Sequence, residues 1–282
     1  MNNLTNIIVN NVCTALDEDI NGGDITALLI PQDQSLGVRL VCRERAILCG
    51  CEWFNQAFLQ LDKNIQIRWF FSDGDKLKPG QSICELHGHA RSILSAERTA
   101  LNFLQTLSST ATRVHRYQKK IKHTACRILD TRKTIPNLRH AQKYAVTCGG
   151  GVNHRLGLYD AFLLKENHLA AAGSMHEAVK YARTLRPDVV LEVEVEDLDQ
   201  LNQAIEAKVD RVLLDNFSLD MMRSAVSTVK SCGADQFLKL EASGNITRKK
   251  IDTIAETGVD FISIGALTKH IKAIDFSLRF ID

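Results

Sequence analysis

The chain has 282 residues, of which 45% are hydrophobic and 24% are charged, and its formal net charge is +2. This apolar content suffices for a full core in one or two domains, and a count of only 4 prolines argues against disorder. A net charge so close to zero excludes general polyanion binding, so we expect no nucleic-acid partner. Any basic site must be a local concentration of cations.

The sequence predicts neither a membrane segment nor a secretory leader. No apolar run approaches membrane-spanning length, and the first residues lack a basic start and a long apolar core. The 8 cysteines are scattered, form no C-x-x-C pair and do not cluster with the 9 histidines. This pattern is typical of free thiols in a reducing compartment, so we expect a cytoplasmic protein without disulfides or a zinc site.

The first part of the chain, to about residue 105, mixes helix and strand patterns. Apolar residues at helical spacing open it over residues 4–16. Strand-like segments follow at residues 38–43 and 65–70, with Gly- and Pro-containing turns after them. Good helix formers then dominate a long segment over residues 90–117.

The remainder of the chain alternates between short apolar runs and helical patterns. Buried parallel strands read as continuous apolar runs, and their alternation with helices is typical of α/β proteins. Six runs, or seven if one is hidden, predict a (β/α) barrel, complete or incomplete. The runs cover residues 127–130, 161–165, 189–195, 211–215, 237–242 and 261–265.

Several of these runs end in carboxylates. Active sites of (β/α) barrels lie at the carboxyl ends of the strands. Glu192, Glu194 and Glu196 alternate, so they share one face of a strand, where burial is costly unless cations, metal or substrate hydroxyls meet them. We assign Glu194 to ribose hydroxyls or metal, and expect that Glu194 and Asp215 together could hold Mg²⁺, which keeps water and phosphate oxygens as ligands.

The last two runs are followed by small residues. Ser243, Gly244 and Asn245 follow one run, and Gly265, Ala266 and Leu267 follow the other. With a helix predicted to begin at Thr247, these segments suit a backbone phosphate site, although an ordinary turn is the plainer interpretation of either alone.

Residues 130–168 concentrate cations around three consecutive glycines, residues 149–151. The cations are Arg132, Lys133, Arg155 and Lys165. Arg offers a planar fork to carboxylate or phosphate, and Gly lets backbone amides approach a ligand, so the segment predicts a site for a small, multiply charged anion. His154, beside Arg155, suits phosphate binding or proton transfer, with a purely structural histidine as the alternative.

Eight segments in this order resemble the quinolinate phosphoribosyltransferase family, also called the carboxylating nicotinate-nucleotide pyrophosphorylases. The likeness extends over nearly the whole chain and is most specific over residues 130–168. The segments are AERTALN (96–102), DTRKT (130–134), KYAV (143–146), CGGGVNHRLGL (148–158), LKENH (164–168), EVEV (192–195), LDN (214–216) and GALT (265–268).

The resemblance implies a reaction and a fold. Quinolinate and 5-phosphoribosyl-1-pyrophosphate would give nicotinate mononucleotide, pyrophosphate and CO₂ in de novo NAD biosynthesis, with Mg²⁺ as cofactor. The implied fold is an N-terminal α/β sandwich over residues 1–108 and an open (β/α) barrel over residues 109–270, with the tail, about 271–282, free to return to the first domain. The family is dimeric, and the first domain of one subunit covers the barrel mouth of the other.

The resemblance also assigns roles to residues. Arg132, His154, Arg155 and Lys165 would bind quinolinate, together with Arg98 from the partner subunit, although Arg98 taken alone reads as a surface ion pair with its neighbour Glu97. Lys165, Glu194 and Asp215 would act in catalysis. The phosphoribosyl donor would contact Thr131, Lys133, Glu194, Asp215, Ser243, Gly244, Asn245, Gly265, Ala266 and Leu267.

One position departs from the family pattern, and two other functions compete with this one. Lys269 stands where the family usually has a histidine after residues 265–268, and His270 comes next. Lys165 at a strand end could instead be the nucleophile of a Schiff-base aldolase. A non-catalytic barrel that binds a small anion is the third hypothesis.

Overall fold

The computed structural model describes residues 3–281 of the chain. The helices are α1 (Asn3–Ile20), α2 (Cys51–Leu59), α3 (Ala90–Lys120), α4 (Arg139–Cys148), α5 (Glu166–Ala172), α6 (Met175–Leu185), α7 (Leu198–Glu206), α8 (Leu219–Ser231), α9 (Ile251–Ala255) and α10 (Ala266–Lys269). The strands are β1 (Ser35–Cys42), β2 (Ala46–Ile47), β3 (Gln66–Trp69), β4 (Lys76–Leu77), β5 (Ser82–His89), β6 (Arg127–Leu129), β7 (Ala161–Leu164), β8 (Val190–Val195), β9 (Arg211–Asp215), β10 (Lys239–Ser243), β11 (Phe261–Ser263) and β12 (Phe276–Phe280).

Contacts divide the described residues into two compact units. The first unit extends to His115 and includes Thr134–Gly150 and the chain from Leu267 onward. The second unit comprises Arg116–Lys133 and Gly151–Ala266. The first unit thus includes α4 and the tail, and the domain boundaries expected after residues 108 and 270 stay predictions.

The first unit is built on an antiparallel sheet in the order β12-β1-β5-β3. Val38, Leu40 and Cys42 of β1 are buried at every second position, as expected of a strand with one face in the core. Trp53 and Phe54 of α2 are buried in the same core. The tail pairs with β1 through β12, with Val38 opposite Phe280.

The second unit contains a six-stranded sheet in the order β6-β11-β10-β9-β8-β7. All its pairings are parallel, which confirms the predicted α/β fold with six strands. The sheet has β6 and β7 as its edges, and beyond β6 a single parallel bridge joins Leu129 to Val152. The parallel arrangement brings the carboxyl ends of all six strands to one edge, which we call the carboxyl edge.

Polar caps explain where the helices after β7, β8 and β9 begin. The side chains of Ser174, Asp197 and Ser218 each accept a hydrogen bond from a backbone amide in the first turn of α6, α7 and α8. Such caps satisfy amides that have no partner within the helix. They fix the starts of α6, α7 and α8.

The helix predicted from Thr247 begins later, at Ile251, and has five residues. Residues 247–250 form a turn closed by the Lys250 amide on the Thr247 carbonyl, at 3.1 Å. Arg248, Lys249 and Lys250 are consecutive cations, and cations at a helix N-terminus oppose the helix dipole. Residues 247–250 thus form a turn where the sequence predicted the first turn of a helix.

No helix within residues 3–281 combines the length and the apolarity needed to cross a membrane.

Candidate active site

Lys165 and Glu194 form an ion pair at the carboxyl edge of the second unit. Lys165 directly follows β7, and Glu194 lies near the end of the adjacent β8. The Lys165 backbone amide donates to His168 Nδ1 at 3.0 Å, which fixes the start of α5. The carboxylate stabilises the charged ammonium, whereas a Schiff-base nucleophile must react as the neutral amine. The pair thus favours Lys165 as a cation for an anionic substrate.

Asn216 links Asp215 to the end of β10 through two hydrogen bonds. Asn216 Nδ2 donates to Asp215 Oδ2 at 2.8 Å, and its backbone amide donates to the Ser243 carbonyl at 3.1 Å. Gly244 has φ +99°, and a Cβ built there would lie 2.1 Å from Asn216 Oδ1. Only glycine fits this close approach. The predicted donor-binding residues Asp215, Ser243 and Gly244 are therefore brought together, with Asn245 next in the loop.

Thr131, Lys133 and Gly265 also come together. The Lys133 amide donates to Thr131 Oγ1 at 3.1 Å. A Cβ on Gly265 would lie 3.0 Å from Lys133 Cδ and 3.4 Å from Thr131 Oγ1. Ala266 follows, half-buried, whereas the Leu267 side chain is fully buried and leaves only its backbone for a ligand.

Arg132, which follows β6, and Arg155, which precedes β7, are cations whose charges interact. The Arg155 guanidinium is half-buried and donates through Nη1 to the Ala161 carbonyl at 3.4 Å. Its pKa is lowered by burial and, second, by the positive charge of Arg132. Two like charges held near each other in a partly desolvated place repel, and an anion between them would relieve that repulsion.

A buried acid pair lies within the sheet. Glu192 of β8 and Glu241 of β10 are 1% and 0% exposed. Burial raises the pKa of Glu192 to about 7 and that of Glu241 to about 8, and for Glu241 the charge of Glu192 is the second cause. Arg211 Nη1 donates to Glu241 Oε2 at 3.4 Å, and its guanidinium lies 4.7 Å from the Phe261 ring centroid.

His154 contacts this acid pair. The ring Nε2 lies 2.9 Å from Glu192 Oε2 and 3.5 Å from Glu241 Oε2. The ring Nδ1 accepts the backbone amide of Arg155 at 2.7 Å, and the His154 amide donates to Asp130 Oδ1 at 2.9 Å. The imidazole is thus engaged by protein groups on both nitrogens, which favours a structural histidine over a group poised for proton transfer.

Sequence reasoning did not mention Arg211 as a site residue, and it gave Asp130, Glu192 and Glu241 no specific role. The alternation of Glu192 with Glu194 was a usable signal, because it places both on one face of β8 at successive depths. No local sequence pattern indicates the contact of Glu241 with Glu192 and His154, because that contact depends on the order of the strands in the sheet.

Two groups among the described residues have the donors and spacing for a metal ion. His154, Glu192 and Glu241 form one, and Cys49, Asp73 and Cys148 of the first unit form the other. Asp73 already accepts the Gly50 and Cys51 amides and the Tyr144 hydroxyl. Glu194 and Asp215, the residues predicted for Mg²⁺, belong to neither group.

The remaining predicted residues are exposed. Arg98 is exposed on α3 in the first unit, and Lys269 and His270 are exposed at the end of α10.

The chain is similar to known proteins over nearly its full length. It matches the models "Quinolinate phosphoribosyl transferase, N-terminal domain" over residues 24–108 and "Quinolinate phosphoribosyl transferase, C-terminal domain" over residues 110–279. It is 41% identical to the probable carboxylating nicotinate-nucleotide pyrophosphorylase of Bacillus subtilis, over 93% of this chain and 89% of that protein.

Solved structures give the same result. The nicotinate-nucleotide pyrophosphorylase of Francisella tularensis superposes with a TM-score of 0.93 at 53% identity, covering 98% of this chain and 96% of that one. NadC of Streptococcus pyogenes gives a TM-score of 0.91 at 37% identity, covering 97% and 96%. The chain therefore belongs to the quinolinate phosphoribosyltransferase family, the carboxylating phosphoribosyltransferases of NAD biosynthesis.

Proposed function

We propose that the carboxyl edge of the second unit carries out the family's reaction with the residues brought together there. The chain transfers phosphoribose from 5-phosphoribosyl-1-pyrophosphate to quinolinate with loss of CO₂, yielding nicotinate mononucleotide and pyrophosphate. The observation that carries the assignment of residues is the set of cations on the second unit: Lys165, paired with Glu194 at the carboxyl edge, and Arg132 and Arg155, whose charges interact. Quinolinate has two adjacent carboxylates, and burying them requires more than one cation.

Arg132, Arg155 and Lys165 bind the quinolinate carboxylates in this proposal. Arg supplies two parallel donors to a carboxylate, and Lys165 supplies a point charge beside Glu194. His154, predicted to contact quinolinate, is buried against Glu192, so we assign it to holding Arg155 instead.

The phosphoribosyl donor occupies the neighbouring strand ends. Lys133 with Thr131 beside Gly265 supplies a cation and open backbone to the diphosphate. The loop after β10, with Gly244 and Asn245 in left-handed conformations, offers amides to the 5-phosphate, and Ala266 and the Leu267 backbone continue the site.

Glu194 and Asp215 stabilise the transition state. Departure of pyrophosphate leaves positive charge on the ribose, and preorganised carboxylates lower the energy of that charge. The pyridine nitrogen of quinolinate then forms the bond to C1. Loss of the 2-carboxylate as CO₂ breaks its bond to C2 and leaves the electron pair on C2, where the adjacent cationic ring nitrogen stabilises it. C2 then takes one proton from solvent to give nicotinate mononucleotide. Few proton transfers are needed, so positioning dominates.

We also propose Mg²⁺ as cofactor, held through substrate phosphates with Glu194 and Asp215 as protein ligands. Both carboxylates are only half-buried at the strand ends, which suits an ion that keeps several waters. When bound, Mg²⁺ neutralises charge on the leaving pyrophosphate.

A homodimer in a reducing cytoplasm completes the proposal. Exposed apolar side chains support association: Ile25 and Leu29 of the first unit are 83% and 84% exposed, and Leu158 of the second is 72% exposed. All eight cysteines are free, in agreement with a reducing compartment.

Substrate selection tests the function directly. Purified protein with the phosphoribosyl donor and Mg²⁺ should release CO₂ and pyrophosphate in equal amounts from quinolinate. Nicotinate has one carboxylate and would leave part of the cation set unpaired, so its kcat/KM should be lower by at least about a hundredfold, the scale of one or two charged hydrogen bonds. Comparable turnover of nicotinate would contradict the assignment of Arg132, Arg155 and Lys165 to two carboxylates.

A further inference from the structure

We propose that Glu192 is a positioning residue that holds Arg155 in place through the imidazole of His154. Glu192 Oε2 lies 2.9 Å from His154 Nε2, and the other ring nitrogen, Nδ1, accepts the Arg155 backbone amide at 2.7 Å. The inference rests on the proposed function in one respect, the role of Arg155 as a substrate cation.

The contact of Nε2 with Glu192 and the contact of Nδ1 with the Arg155 amide fit the same tautomer of the His154 ring. A backbone amide can donate only to a ring nitrogen that carries no proton, so Nδ1 must be bare and the proton of the neutral ring must sit on Nε2. Glu192 accepts that proton in a hydrogen bond and thereby selects the tautomer that can accept from Arg155. A carboxylate behind a histidine commonly sets its tautomer and ring orientation in this way.

The anchor is rigid because it is buried. Glu192 is 1% exposed and His154 is 9% exposed, so water does not compete for either group. Glu241, fully buried, also lies within 3.5 Å of His154 Nε2, and Arg211 donates to Glu241. The ring is therefore held from the interior of the sheet.

A second contact ties the same segment to β6. The His154 amide donates to Asp130 Oδ1 at 2.9 Å, and Asp130 lies two residues before Arg132. The backbone that carries Arg155 is thus fixed on one side to Glu192 and on the other to the segment that carries Arg132.

This anchoring has a physical purpose. Burial and, second, the positive charge of Arg132 both disfavour the Arg155 cation in the absence of an anion. Because the backbone of Arg155 is already fixed before quinolinate binds, less conformational entropy is lost on binding. Loss of the anchor should weaken quinolinate binding selectively.

Two substitutions of similar size separate positioning from packing. Glu192→Gln keeps an oxygen that accepts from Nε2, whereas Glu192→Met fills the space without an acceptor. We expect Glu192→Met to raise KM for quinolinate about tenfold, the scale of one hydrogen bond, with KM for the phosphoribosyl donor changed less than about twofold. In Glu192→Gln, KM for quinolinate should stay near the wild-type value.

The tautomer is measured independently by nitrogen NMR of protein labelled at histidine, with the His154 signals assigned by their loss in His154→Asn. Wild type and Glu192→Gln should show a protonated Nε2 and a bare Nδ1. A protonated Nδ1 in wild type, or equal KM values for the Gln and Met variants, would overturn the proposal. If Glu192→Met does not fold, the proposal is still tested by the tautomer of His154 and by KM for quinolinate in Glu192→Gln. Absence of quinolinate turnover in wild type would refute the function while leaving the tautomer result intact.

Discussion

Arg132 and Arg155 are the residues to which the proposed function assigns most of the recognition of quinolinate. Each is one of several cations in residues 130–168, but these two influence each other electrostatically in the folded chain. Two guanidinium forks present four or more parallel donors, the geometry that adjacent carboxylates accept. A lysine at either position would keep the charge and lose the fork.

We therefore predict that Arg132→Lys and Arg155→Lys are not conservative. Each should lower kcat/KM for quinolinate by ten- to a hundredfold, corresponding to about 1.5–3 kcal/mol for a charged hydrogen bond. Steady-state kinetics and the melting temperature should be measured together, because Arg132 is exposed, Arg155 is only half-buried and the fold should survive.

Arg223→Lys is the matched control, since Arg223 is an exposed arginine of the same unit paired with Asp220 on α8. It should change neither quantity. Wild-type efficiency in Arg132→Lys or Arg155→Lys would show that charge alone suffices there, and a large fall in melting temperature would assign that residue to stability.

At the scale of elements, the loops after β9 and β10 depend on one glycine. A Cβ at Gly244 would lie 2.1 Å from Asn216 Oδ1 and 3.0 Å from the Asn216 backbone nitrogen. Gly244→Ala should displace Asn216 and with it Asp215, so we predict about a tenfold or greater increase in KM for the phosphoribosyl donor.

Gly173→Ala is the control for Gly244→Ala, because it introduces backbone strain without a steric clash. Gly173 has φ +87°, close to the +99° of Gly244, but a Cβ there meets nothing within 4 Å. It should cost about 1 kcal/mol of stability and leave KM for the donor unchanged. Equal effects of the two substitutions on KM would mean that strain, and not the contact with Asn216, governs the loop.

The elements themselves were largely predictable. All six apolar runs of the second half became strands, because a strand buried on both faces needs a continuous apolar run and leaves a local signal. The helix predicted to begin at Thr247 begins at Ile251, because residues 247–250 form a turn closed by the Lys250 amide on the Thr247 carbonyl. The contact of Glu241 with His154 was beyond prediction, because residues 154 and 241 meet only through strand order.

At the scale of the whole molecule, the two units carry different parts of the predicted site. Arg98 belongs to the first unit, whereas Arg132, Arg155 and Lys165 belong to the second. Arg98 is exposed, as are the apolar side chains of Ile25 and Leu29 in the same unit. These features agree with the proposal that a second copy of the chain supplies Arg98 to the site.

Subunit mixing tests that proposal. Arg98→Ala and Lys165→Ala should each be inactive alone, because each removes one cation from every site. If Arg98 acts on the partner's substrate, a hybrid dimer has one site with both residues intact and one site with neither. Random exchange at equal amounts should then restore about a quarter of wild-type activity, since half of the dimers are hybrids with one working site each.

Subunit exchange should be verified by mass spectrometry of differently tagged subunits. Arg116 is an exposed arginine near the end of the same helix, and Arg116→Ala should keep full activity. Proven exchange without recovered activity would place Arg98 in the site of its own subunit or outside the site altogether.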